Sequence, residues 1–431
     1  MKNLIQPFII LLLVASCTSQ KKSGSNINEL AIDYVKLTLE IAAHDPWYWD
    51  DYYGPDSLKF TGVVLDTFPK EDFLNRVNSL KLELDEISSS PESSEEEKLR
   101  ANWMSAQLTA VDRGIRLYSG EFGTFDEEAE DLIGVKVPSY DSTYFIEAIA
   151  ELDNALPGEG TFKERLEALI SRFEIPEEKL DTCFKVVIEA ARKITRERLD
   201  LPEDESITIE HERGKSWNFT ISYLGRYQSL AKIGVDHKMY ICDVINSACF
   251  DCYPGYHVYQ VMQEKNLYAG KGWVEILDPW NPHGSPQSVI EEGLGFNAID
   301  MAFPGESYDK FAKEVLMPLA GLDTTGADTY FLYNRLSRWK LRNAYIEAAR
   351  GFVNGTMTED EYTHWVEDFA LIDIMFWVVK SGRTYIASYR CGSDLINNYI
   401  EAQSSSDDER WEAYGKLLST LVVPKDLVKE E

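Results

Sequence analysis

Positive charge is scarce in this chain. It carries 43 lysines and arginines against 73 aspartates and glutamates, a net charge of −30 with histidine neutral. A nucleic-acid partner needs a basic face, and an anionic lipid surface attracts clustered lysine and arginine, so neither is expected to bind it broadly. The acidity is read as a solvated surface with no partner implied. Cysteine is also sparse, with six in 431 residues. Apart from Cys17 these are Cys183, Cys242, Cys249, Cys252 and Cys391. They are too few for a disulfide framework, which belongs to small Cys-dense chains, and their odd number leaves at least one thiol free. The sequence has no internal repeat, no low-complexity tract and no Gly-rich phosphate loop. No apolar run is long enough to span a bilayer.

An apolar content of 44% with 12% aromatics is enough to bury a sizeable core. The first 17 residues, MKNLIQPFIILLLVASC, place basic Lys2 before an apolar run from Phe8 to Val14 and two small residues. That run is too short for a membrane span and reads as a signal peptide. Its end, Val-Ala-Ser-Cys, resembles a bacterial lipobox. The resemblance implies cleavage before Cys17 and acylation of its thiol and new amino group. Several acyl chains, at about 0.8 kcal/mol per buried CH2, would hold the protein on a membrane. The small polar residues of 18–27 read as a flexible tether. No acidic pair follows Cys17, which favours the periplasmic side of the outer membrane over the cell surface.

The body reads mostly as helix. Leu30, Tyr34, Leu37 and Ile41 recur at helical spacing over 28–43. Helices are expected over 67–87, after a capping box at Ser94 and Glu97, and over 124–133, 141–154, 161–173 and 176–198. Between 205 and 235 the pattern turns β-branched and aromatic, broken at Arg213-Gly214, and reads as strands with a hairpin. Helical signals return over 239–268, 286–303, 307–317, 326–354, 358–380 and 392–403. The fold class is therefore mainly α with a small β-sheet.

Several blocks carry a resemblance: YVKLTLEIAAHDPWYWDDYYGP (34–55), ALPGEGTFKERL (155–166), WNFTISYLGRYQS (217–229), ACFDCYPGYHVYQ (248–260), GWVEILDPWNPHGSPQSVIEEG (272–293), MAFPGE (301–306), YIASYRCGSDLINNYIE (385–401) and LLSTLVVPKDL (417–427). Together they resemble a bacterial family of zinc-peptidase-like proteins related to DUF885, and more distantly the helical carboxypeptidases with an HExxH-type site. The resemblance implies one metallopeptidase-like domain over 28–431, with lobes at 28–200 and 201–431 around a cleft. In that cleft 248–260 and 286–300 would face each other, and the strand near 217–229 would align an extended peptide.

Active members carry a pattern like Cys-His-Glu-Gly-Tyr-Pro-Gly-His-His. The first His and a later His bind zinc, the Glu is the general base, and a Glu in a downstream Glu-Gly pair is a third ligand. This chain keeps Cys249, Tyr253, Pro254, Gly255, His257 and the pair Glu292-Gly293. It places Phe250 where the first ligand stands, Asp251 where the general base stands, Cys252 for a glycine and Tyr256 for a histidine. Phenylalanine has no donor atom, and tyrosine binds a metal only as a phenolate, from a pKa near 10. Aspartate is one methylene shorter than a base that must reach its water within about 3 Å.

The leading expectation is thus an exported, membrane-anchored lipoprotein with a degenerate zinc site. It would bind peptide, a cell-wall fragment or a partner protein without catalysis and without a cofactor. One alternative is an active zinc peptidase rebuilt on Asp251, His257 and Glu292, with Tyr389 bonding a substrate carbonyl. Another is a structural lipoprotein with a closed cleft. The expected cleft residues are Phe250, Tyr253, Tyr256, Tyr223 and Arg226. Cys249 and Cys252 read as a disulfide or two buried thiols before a redox centre. A Cys249/Asp251/Cys252/His257 metal site, with only one CxxC, has weaker support. The anchor is directly testable. Expressed in a bacterial host, Cys17→Ser should move the protein from the membrane to the soluble fraction, and an unchanged distribution would remove the lipobox reading.

Overall fold

The computed structural model describes residues 26–45, 52–277, 284–371 and 376–428. The signal segment, Cys17, most of the tether and residues 46–51, with Trp47, Tyr48 and Trp49, lie outside the described residues. The tether ends earlier than expected. The side chain of Asn26 accepts a hydrogen bond from the Asn28 N–H at 2.9 Å and caps the helix Ile27–Ala42.

The chain is mainly helical with one three-stranded sheet. Local sequence starts many of the helices. Glu97 accepts from the Ser94 N–H at 2.8 Å, while the Glu97 N–H donates to the Ser94 hydroxyl at 3.2 Å. The same reciprocal box forms at Thr124/Glu127, Thr161/Glu164 and Thr358/Glu361. No described helix is long and apolar enough to cross a membrane.

The sheet runs in the order β1 (Ser206–Glu212), β3 (Gln228–Gly234), β2 (Phe219–Gly225). β1 is parallel to β3, and β2 is antiparallel to it. The hairpin turn is not the Arg213-Gly214 break but Arg226-Tyr227, both left-handed at φ 55° and 62°. That strained turn is pinned by Glu264. Its carboxylate accepts from the Arg226 N–H at 3.1 Å, the Tyr227 N–H at 3.3 Å and the Tyr223 hydroxyl. Among the described residues no strand pairs with the outer edge of β2.

Four expected helices differ in extent; the span 358–380 holds one helix ending at Phe369, before Leu371 turns left-handed at φ 57°, and another at Phe376–Gly382. The span 239–268 breaks into Ile241–Ser247, a π-turn at Ala248–Cys252, and Tyr256–Gln263. Pro254 lacks an N–H and holds Tyr253 extended at φ −127°, ψ 126°, which stops the first helix. Gly255 then fits where nothing larger would, since a Cβ there would stand 1.8 Å from the Phe250 carbonyl oxygen. The span 326–354 divides at Lys340 into Ala327–Trp339 and Ala344–Val353. The helix expected from 392 begins at Ile386. A helix over Asp407–Leu418 was not anticipated, although Ser406 before three acidic residues is a start signal.

Residue 200 does not divide the packing. One core joins Leu152 and Phe184 to Tyr253, Leu294 and Tyr414. A second joins Tyr34 and Trp103 to Trp273 and Leu421. A third joins Phe125 and Phe145 to Val289, Tyr362 and Ala387. Each core needs apolar faces from both sides of that boundary.

The helix Pro286–Ala302 is buried on nearly its whole circumference, as a helix central to a large core must be. It crosses Ile386–Gln403 so closely that a Cβ on Gly293 would lie 2.4 Å from the Gly392 oxygen. One on Gly392 would lie 2.1 Å from the Val289 oxygen. Asn297 staples the crossing, its amide donating to the carbonyls of Gly293 at 2.8 Å and Ser393 at 3.0 Å. Gly392→Ala should therefore cost on the order of 3 kcal/mol. A lowered urea midpoint at constant slope is the expected result, and an unchanged midpoint would contradict the close crossing.

Candidate functional site

The π-turn Ala248–Cys252 fits one residue more into its turn than an α-helix would, and π-turns of this kind often mark functional sites. It carries Phe250 and Asp251 to one wall of a cavity of about 390 Å³. Phe296 and Ile299 come from the central helix, and Tyr389, Arg390 and Ser393 from the crossing helix. Arg338, Arg342 and Ile346 close another side, and Asn218 and Phe219 enter from the start of β2. The segments 248–260 and 286–300 thus face each other across this space. Phe250 lies flat over Gly295, where an added Cβ would meet its ring at 2.9 Å. Its ring meets Phe296 edge-on at 5.3 Å, and Phe296 meets Tyr389 edge-on at 5.8 Å. The expected ligand position is therefore filled with hydrocarbon.

His257 belongs to a different network. It is fully buried, with Nε2 3.1 Å from Glu205 Oε2 and Nδ1 2.8 Å from the Ser229 hydroxyl. Burial pushes its pKa below the usual histidine value, against the pull of Glu205. The ring is therefore neutral. Glu205 can only accept, so Nε2 carries the proton and donates, and Nδ1 accepts from Ser229. Neither nitrogen keeps a lone pair for a metal. Glu205 also accepts from Tyr253 at 2.5 Å and from Arg192 at 3.0 Å. Burial alone would raise its carboxyl, but the hydrogen bonds from His257, Tyr253 and Arg192 hold it down at about 2.

Glu292 keeps other company. The Tyr385 hydroxyl donates to its Oε1 at 2.5 Å, and its buried Oε2 has no partner. Its electrostatic neighbours are Glu291 and Asp251, so the structure brings Asp251 and Glu292 together and leaves His257 out. Burial pushes Glu292 up to about 8, and the two nearby carboxyls add to this. Burial likewise raises Asp251 to about 7. Glu291 also rises to about 7, despite hydrogen bonds from Gln287 at 2.8 Å and Gln260 at 3.2 Å. Asp251 sits deep among protein atoms but keeps a face open to the cavity. Tyr389, also on the cavity wall, is held protonated by burial and by Glu292 and Asp251. Of these groups Asp251 and Tyr389 line the cavity, and Asp251 stays partly ionised near neutral pH.

Four expected cleft residues stand outside this cavity. Tyr223 is buried under Tyr53, the rings 5.0 Å apart, because its hydroxyl serves Glu264. Arg226 is exposed at the hairpin tip. Tyr253 turns to Glu205, and Tyr256 packs half-buried against the large core. All five thiols of the body are free and buried, so Cys249 and Cys252 form no disulfide. Burial pushes both thiols well above the usual range, which removes the thiolate a redox or metal role needs. Among the described residues no three His, Cys, Asp or Glu side chains converge on a point that could hold a metal ion. The residues present do not fit the zinc of the resembled family: one ligand position is Phe250, and the histidine is spent on Glu205 and Ser229.

The sequence reading missed Tyr385, Glu291, Glu205 and the arginines 338, 342 and 390. Tyr385 and Tyr389 had a signal, since residues four apart share a helix face, and their rings meet edge-on at 5.7 Å. The arginines had none.

A comparison of the chain with protein-family models, with curated proteins and with solved structures finds no match in any of the three.

The raised carboxyls give stability a definite pH dependence. Asp251, Glu291 and Glu292 titrate higher in the folded state than the usual carboxyl value near 4. Their contribution is intact below that value and is lost as pH rises through 7 to 8. Glu205 has the opposite sign, contributing above about 4.5 and losing that contribution as pH falls towards 2, so its window is separate. Urea unfolding in chelator should show stability falling from pH 5 to 8. Asp251→Asn with Glu292→Gln should reduce that fall by roughly 2 kcal/mol per group. Parallel curves for the two proteins would refute the assignment.

Proposed function

We propose that this chain is a binding protein of metallopeptidase-like architecture that holds a peptide segment without cleaving it. We further propose that it is exported and lipid-anchored through Cys17 at the periplasmic face of the outer membrane. The observation that carries the binding reading is the cavity at the head of β2. It combines an aromatic wall, Phe250 and Phe296, with convergent polar groups at the size usual for small-ligand sites. Phe219, the first residue of β2, lines this cavity, and the outer edge of β2, unpaired among the described residues, can take an extended chain by main-chain hydrogen bonding. The ordered blocks shared with zinc-peptidase-like proteins support the architecture, and Phe250 in the first ligand position supports loss of the metal chemistry.

The closed-cleft reading is disfavoured by the cavity, and the rebuilt peptidase by the engagement of both His257 nitrogens. The test has two parts. Fluorescently labelled hexapeptides should bind the purified protein saturably, and the peptides should be recovered intact. After dialysis against zinc and then buffer, the protein should hold far less than one zinc per chain. Stoichiometric tight zinc, or peptide turnover lost in Glu292→Gln, would overturn the proposal.

A further inference from the structure

Among the described residues most buried charges are paired, and Asp251 on the cavity wall is an exception. Among the described residues Asp251 has no hydrogen-bond donor and no cation against it, and desolvation is the one influence on its carboxyl. Arg342, an exposed residue that lines the same cavity, makes no hydrogen bond and no ion pair among the described residues. The two share one space of about 390 Å³ and do not pair with each other.

The groups around Arg342 are also short of acceptors. Arg338 is bound by the Phe296 carbonyl at 3.2 Å and Asp300 at 3.1 Å, yet its buried Nε has no partner. Arg390 is bound by the Trp339 carbonyl at 2.9 Å and Asp394 at 2.7 Å, and its buried Nε is equally bare. The buried Ser393 hydroxyl is a third unpartnered group on the same wall. The second acid there, Asp243, already accepts from the Tyr240 N–H at 3.0 Å. Buried polar atoms are normally satisfied, and several bare ones around one cavity mark the place of a ligand.

We infer that the cavity takes a small zwitterion with an apolar side chain, an amino acid or a dipeptide with both termini free. This rests on the reading of the cavity as a peptide site. The ligand's ammonium lies against Asp251 and its carboxylate against Arg342, where a guanidinium offers a two-pronged donor. Its side chain packs on Phe250 and Phe296. One ligand of this kind sets a cation against the desolvated acid and an anion against the exposed guanidinium, which a simple anion or cation would not achieve. The main chain of a longer peptide along β2 would carry its terminal charges elsewhere.

Calorimetric titration of the full mature chain tests this with phenylalanine, phenylalanyl-leucine, its C-terminal amide and its N-acetyl form. The two free zwitterions distinguish an amino-acid site from a dipeptide site. The expected result is binding of at least one of them, weakened about 10- to 100-fold by capping either end. Arg342→Gln should remove the penalty for amidation and Asp251→Asn the penalty for acetylation. Capped forms that bind as tightly as the free ones overturn the inference without any variant. If blocked hexapeptides still bind in that case, peptide binding stands and only the zwitterion falls. If neither short nor long peptides bind, both fall.

Discussion

At the crossing of Pro286–Ala302 and Ile386–Gln403 the two helices meet main chain to main chain, through Gly293 and Gly392, with Asn297 bonded across the contact. One helix delivers Glu291, Glu292 and Phe296, and the other delivers Tyr385, Tyr389, Arg390 and Ser393. Their spacing fixes how far Tyr385 stands from Glu292 and how wide the cavity behind Tyr389 can be. Side chains larger than hydrogen at the crossing would push the helices apart and separate these partners. Much of the third core, including Val289 and Ala387, packs around the same junction.

Charge is handled in two different ways. Where it is structural, it is paired. Arg100 grips Glu275 at 2.5 and 3.0 Å, Arg383 grips Glu128 at 2.6 and 2.7 Å, and Glu205 gathers Arg192, Tyr253 and His257. These pairs tie distant segments together, and breaking one would strand a buried charge. At Asp251, Glu291 and Glu292 burial is unrelieved by a cation. That arrangement costs stability above neutral pH and is retained beside an open space, the combination that marks a binding or reactive site.

Much of the fold could be read before the structure was known. Ser94/Glu97 and the helical spacing of Leu30, Tyr34, Leu37 and Ile41 act within one or two turns, so sequence shows them directly. The strand region was visible for the same reason. The break of 239–268 into helix, π-turn and helix was not anticipated, because the apolar periodicity on both sides of Pro254 is continuous. Phe250 and Asp251 line the cavity, while Tyr223, Arg226, Tyr253 and Tyr256 do not, since proximity in sequence says nothing about which side of a strand or helix meets the cavity. The lobes expected at residue 200 did not emerge, as each core draws its apolar faces from both halves.

By itself the sequence determined the helix starts, the acidic balance of the chain and the span that forms the sheet. All of these are set by residue identity and short-range spacing. Only the tertiary structure decided that His257 serves Glu205 and Ser229, that Asp251 acts on Glu292, and that Asp251 and Arg342 line one cavity without pairing. Glu205 and His257 stand 52 residues apart in the chain, and Tyr385 and Glu292 stand 93 apart. Such contacts are fixed by helix crossings and by what burial leaves unpaired, quantities that exist only once the chain has packed.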